Sequence, residues 1–262
     1  WVGTTPPSPS ISSPVNIFKR VYDPGFVTAT WFFDNSEPDD TLGIQRALDF
    51  ISPTIPPINY NDSTGGTIFL PKGIYNISKT LLIGQNCRLI GVNNRYHYLY
   101  EKFNEGGGTV IRANFSPENK NNWVISSATF VLSAPSPFEL LPYDIVLNYD
   151  KNNSDYYFEK AAYTMGINIE NLTIDGGDKA FGGIRLSNSA NSTIRNVGVH
   201  NLKCGFLVNT CWGGSIENCF ANFDWYGALV IYCNSFLVIN SYFRGSYRSD
   251  HQIPPYVAEI PQ

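Results

Sequence analysis

The chain has 262 residues, 43% hydrophobic and 15% aromatic, with a net charge of −4. That is enough apolar matter for a large core, so wholesale disorder is excluded. Only 15% of residues are charged and no Lys/Arg cluster occurs, which argues against long salt-bridged helices and against nucleic acid as the main partner.

No apolar run reaches the ~20 residues of a membrane span, and no signal-peptide pattern opens the chain. The start at Trp1 and stop at Gln262 are consistent with a piece of a longer protein. Residues 1–14 (WVGTTPPSPSISSP) read as a Pro/Ser-rich linker or arm. A helix is expected from Asp39-Asp40-Thr41 to Ile51, with either aspartate as cap and Leu42, Ala47, Leu48 and Ile51 on an apolar stripe. Short β-branched runs follow at 66–71, 74–77, 80–83, 88–91 and 109–111. Residues 115–162 break the pattern and read as a long insertion.

From residue 166 the chain repeats itself. Gly183, Gly205 and Gly227 recur every 22 residues; Ile194, Ile216 and Val238 align, as do Asn171, Asn196, Asn218 and Asn240. A fixed period near 22 with alternating short strands and no helical stripe predicts a solenoid of parallel strands. The expected fold is all-β: a right-handed single-stranded parallel β-helix of about 22 residues per rung, with an N-terminal capping helix. The chain divides into 1–14 (arm), 15–95 (cap helix and first rungs), 96–165 (rungs with long insertion loops), 166–248 (regular rungs) and 249–262 (C-terminal extension). The asparagines are expected to stack as an inward ladder at one bend.

The five cysteines, at 87, 204, 211, 219 and 233, match no zinc spacing and read as buried and reduced. Cys211 and Cys233 align between rungs, which leaves a disulfide open. Six Asn-x-Ser/Thr sequons carry little weight in so Asn-rich a chain.

PDDTLGIQRALDF followed by GGTIFLPKGIYNISKTLLI and CRLIGV resembles the start of the pectate-lyase-like right-handed β-helix superfamily. There an Asp-Asp-Thr motif opens the cap helix and a hydrophobic-Leu-Pro-x-Gly-x-Tyr strand-turn-strand begins the coil. The resemblance spans about residues 38–95, and the rung pattern extends it to about 248. It implies the fold, and a function among polysaccharide lyases, glycoside hydrolases, epimerases and bacteriophage tailspike depolymerases. With its Tyr-, Asn- and Ser-rich composition the chain most resembles a tailspike, which implies a homotrimer on a virion tail, or alternatively a secreted protein, acting outside the cell on a bacterial polysaccharide.

Register after the asparagines puts Asp175, His200, Asn222 and Arg244 in one outward column, and Thr173, Gly198, Phe220 and Tyr242 in its neighbour. Rings that stack on sugars beside groups that hold hydroxyls or uronates suit a carbohydrate. Glycoside hydrolysis needs two carboxyl groups; Asp175 and Asp224 are the candidate acid and base, with His200, Phe220, Asn222, Tyr242 and Arg244 as substrate-binding residues. Asp178 and Asp250 lie near the same face. Elimination at a uronate, with His200 or Arg244 as base, and a non-catalytic glycan-binding fibre are the alternatives. No cofactor, metal site or membrane insertion is expected. Glu170, Arg195 and Glu217 are expected to form a charge ladder. Leu207, Leu229 and Ile231 form an outward apolar stripe, to be covered by a second subunit or by residues 115–162.

Overall fold

The computed structural model describes residues 25–52, 65–93, 108–116, 122–127, 164–187, 189–231 and 233–245, with backbone alone at Phe223 and Asp224. Fifteen strands among them form one continuous parallel sheet. It coils into three stacked faces: a parallel β-helix.

Face A stacks 26–28, 66–69, 87–90, 168–170, 193–195, 215–217 and 237–239. Its inward column, Val27, Ile68, Leu89, Ile169, Ile194, Ile216 and Val238, holds register down the whole coil. Val27 is buried and the next five are fully buried; each such side chain contributes about 1.5–3 kcal/mol of burial. Face B stacks 73–77, 109–113, 172–175, 197–200, 220–223 and 242–245. Face C stacks 81–83, 123–127, 182–187, 204–209 and 226–231.

The helix, Thr41–Ile51, seals the upper end. Ile44, Ala47, Leu48 and Ile51 insert into the coil core, as a solenoid terminus requires. Its two aspartates divide the work. Asp39 Oδ1 accepts the Thr41 N–H at 2.9 Å, whereas Asp40 Oδ2 accepts the Asn76 N–H at 2.7 Å and ties the helix to face B. At the lower end Val238 is 47% exposed although it continues the buried Ile194–Ile216 column.

The 22-residue glycine repeat marks a close rung approach. A Cβ on Gly205 would lie 2.3 Å from the Gly227 carbonyl oxygen and 2.8 Å from the Ala221 Cβ; one on Gly183 would lie 2.7 Å from the Gly205 oxygen. The asparagines mark the bend from face A to face B. Asn171, Asn196, Asn218 and Asn240 all have φ between 47° and 56°, the left-handed region that Asn tolerates better than other side chains.

Several expectations change. Phe26–Thr28 already pairs with the first expected strand, so the coil begins before the cap helix. Trp123–Ser127 is a strand of face C, within the segment expected to be an insertion. The asparagine ladder lies at the surface of the bend: Asn171 and Asn196 are half-buried, Asn218 and Asn240 exposed. Its first step is hydrogen-bonded, with Asn196 Nδ2 donating to Asn171 Oδ1 at 2.7 Å, but the repeated asparagine is explained by backbone conformation. Leu207 is fully buried, in a second apolar cluster on the outside of face C with Trp123, Phe181 and Cys204, against which Leu229 and Ile231 pack. The arm at 1–14 and the extension at 249–262, Asp250 included, lie outside the described residues.

Candidate functional site

Face B brings the expected polar column together. Arg112, Asp175 and His200 stand on successive rungs; below them the register shifts by one residue between Val199 and Leu202, and Asn222 pairs with Arg244. At about 4.8 Å per rung the column is about 19 Å long. In the adjacent outward column Thr173, Gly198, Phe220 and Tyr242 are aligned.

The upper and lower parts differ. Asp175, His200 and Asn222 point away from the coil core, as their register requires, yet each is buried. The expectation of an open polar strip therefore holds only lower down. Tyr242 is 54% exposed, its ring 5.5 Å from that of half-buried Phe220 and tilted by 32°; Arg244 beside them is exposed.

Asp175 is the centre of the buried part. Its Oδ2 accepts Arg112 Nε at 2.9 Å. Its Oδ1 accepts the Gly177 N–H and the Asn201 amide, both at 3.0 Å. Burial alone raises a carboxyl pKa, but here it is outweighed. The charge of His200 when protonated, Asn201, Gly177 and Arg112 hold Asp175 below the ordinary carboxylate range. His200 Nδ1 lies 3.7 Å from Asp175 Oδ1. Burial pushes the imidazole's pKa down, more than Asp175 and Asn201 push it up. At neutral pH the imidazole is therefore neutral, and the carboxylate is held by Arg112, Asn201 and Gly177. The bend makes this possible: Asn201 and Asp178 adopt φ of 55° and 54°, and the Asp178 N–H donates to the Asn201 carbonyl at 3.0 Å.

Asp178 itself is exposed in that turn. The Asp224 backbone lies in the strand Phe220–Ile231, two residues beyond Asn222; its side chain lies outside the description. Arg112 and Asn201 join the cluster unannounced. A gap of 63 residues separates Arg112 from Asp175, so only the register across the irregular middle of the chain reveals the pair.

Other charges belong to the scaffold. On face A, Arg88 Nε and Nη2 donate to the two Glu170 oxygens, both at 3.0 Å. Arg195 Nε donates to Glu217 Oε2 at 2.9 Å, the expected ladder. No cluster of three or more His, Cys, Asp or Glu side chains suited to a metal ion occurs among the described residues. No helix there is long and apolar enough to cross a membrane.

Residues 34–136 match the family model described as rhamnogalacturonase A/epimerase, pectate lyase-like. The fold is that of the pectate-lyase-like parallel β-helices. The match covers the cap helix and first rungs, where the sequence resemblance also lies. Among solved structures, the ORF18 protein of Geobacillus virus E2 superposes with a TM-score of 0.54 at 18% identity, over 84% of this chain and 36% of its own. The chain thus spans little more than a third of that viral protein. A candidate glycosyl hydrolase of Parabacteroides merdae superposes with a TM-score of 0.52 at 13% identity, over 85% of this chain and 87% of its own. At these identities the likeness is one of fold. No curated protein matches the chain.

Proposed function

We propose that this pectate-lyase-like chain binds and depolymerises a bacterial surface polysaccharide, with the glycan along the lower rungs of face B, and that it cleaves by glycosidic hydrolysis. One observation carries the reading: on the face where Asp175 is kept ionised, the lower rungs expose a guanidinium, Arg244, and, in the adjacent column, a ring, Tyr242. Aromatic rings stack on the apolar faces of sugars, and amides and guanidiniums hold hydroxyl and carboxylate groups. Phe220, Tyr242 and Arg244 would take these parts, with Asn222 buried beside them.

An ionised carboxylate is the state required of a general base or nucleophile in glycoside hydrolysis; the acid is a second carboxyl group about 5–5.5 Å away for retention or 6.5–9.5 Å for inversion. Asp175 takes the first role and Asp224 the second. The glycosyl-hydrolase neighbour supports a polysaccharide as substrate by analogy of fold. The sequence resemblance to tailspikes, with a viral protein among the fold neighbours, is the ground for proposing a homotrimer on a virion tail.

A non-catalytic glycan-binding fibre is the second reading. It is favoured by the engagement of both Asp175 oxygens with Arg112, Asn201 and Gly177.

The test is mass spectrometry of oligosaccharides released from purified capsular and O-antigen polysaccharides. Saturated products carrying one added water support hydrolysis, and Asp224→Asn should then abolish them. Unsaturated products would overturn hydrolysis in favour of elimination, with His200 or Arg244 as base. Retained binding without products would leave the fibre.

A further inference from the structure

Five cysteines are reduced in this structure, and two of them are stacked. Asn209 pairs with Ile231 in parallel register, and Trp212 bridges Asn234. The Thr210 N–H donates to the Ile231 carbonyl at 2.9 Å, and the Asn234 N–H to the Cys211 carbonyl at 2.9 Å. Cys211 and Cys233 therefore occupy the same site on successive rungs. Their side chains make equivalent contacts. Cys211 Sγ lies 3.4 Å from the Asn209 carbonyl oxygen and 3.5 Å from that of Leu186; Cys233 Sγ lies 3.2 Å from the Ile231 oxygen and 3.4 Å from that of Val208.

Rung spacing of about 4.8 Å falls within the 4.4–6.8 Å Cα separation of disulfides. Cys233 is the less enclosed of the two, half-buried where Cys211 is fully buried.

We propose that Cys211 and Cys233 form a redox-active dithiol that takes small-molecule disulfides and closes into a cross-rung disulfide. The Cys233 thiolate attacks one sulfur of the reagent, giving a mixed disulfide and releasing one thiol. The Cys211 sulfur, losing its proton, then attacks the Cys233 sulfur and releases the second. Two cysteine thiols are oxidised and one disulfide reagent is reduced to two thiols. The order follows from burial: Cys233 is half-buried and Cys211 fully buried, and the contact between the two thiols holds the Cys233 pKa down and pushes that of Cys211 up. Burial raises Cys87 and Cys219 to about 12 and raises Cys204 as well, so these three are poor competitors.

The experiment treats the full native chain with oxidised glutathione and maps its peptides without reduction. The expected product is a Cys211–Cys233 linkage with a loss of about 2 Da, the other three cysteines staying reduced. Cys211→Ser should stop at one glutathione adduct on Cys233, and Cys233→Ser should take none over the same time. Should either variant fail to fold, alkylation of the wild-type chain decides. Cys233 should react at least about tenfold faster than the other cysteines at pH 7. A linkage elsewhere, no linkage in excess reagent, or uniform alkylation would overturn the proposal.

Discussion

Replacing Asp175 by Asn keeps the shape of the side chain and removes its charge. The carboxylate accepts three donors at 2.9–3.0 Å, from Arg112, Gly177 and Asn201. An asparagine oxygen can replace one carboxylate oxygen, but its NH2 must then face a donor. If the oxygen stays with Gly177 and Asn201, the NH2 meets Arg112 Nε. Removing one partner of a fully buried ion pair costs about 3–5 kcal/mol. The Arg112 side chain is 33% exposed, so water recovers part of this and about 3 kcal/mol is expected. For a domain of this size that lowers Tm by about 6–12 °C. Urea unfolding and a thermal scan, each followed by circular dichroism, measure it. An Arg112→Met, Asp175→Asn double-mutant cycle should return a coupling of about 2 kcal/mol. A Tm within about 2 °C of wild type, with no coupling, would refute the view of Asp175 as the charge that holds this bend together.

The same cluster predicts a pH dependence. Both folded-state pKa values are lowered, so the folded chain binds fewer protons than the unfolded one, and stability rises with pH through each window. The His200 contribution is complete above about pH 6.5 and is lost below it; that of Asp175 is complete above about pH 4 and is lost below it. Unfolding midpoints from pH 8 to 4 should fall first below 6.5, and His200→Gln should remove that first step. Gly205→Ala should cost more than the ~1 kcal/mol typical of point substitutions, because its Cβ meets backbone oxygen at 2.3 Å; an unchanged urea midpoint would contradict the rung spacing. Tyr242→Ala should weaken binding to a cognate polysaccharide by about tenfold, as loss of one ring stack predicts, while leaving Tm within a few degrees because the ring is largely exposed; isothermal titration on a glycan that the wild type binds measures this.

Much of the fold was legible because a stacked solenoid writes its geometry into the sequence at fixed intervals. Gly183, Gly205 and Gly227 recur because neighbouring backbones touch there, and Asn171, Asn196, Asn218 and Asn240 because each bend needs a left-handed residue. Alternation gave the inward column Ile169, Ile194 and Ile216, and with it the outward alignment of Asp175 with His200 and of Asn222 with Arg244. The strands Phe26–Thr28 and Trp123–Ser127 were not legible, since each lies in aromatic or irregular sequence with no copy one period away.

The sequence by itself thus determined the period of the regular rungs and the direction in which their strand side chains point from the coil, both consequences of local alternation repeated every 22 residues. Burial was decided by tertiary structure alone. Asp175 and His200 point outward and are nonetheless enclosed, and Leu207 points outward into a second apolar cluster. Tertiary structure alone also brought Arg112 across 63 residues to the Asp175 carboxylate. A charge is set by the dielectric and the donors around it, and those come from rungs that no local pattern joins.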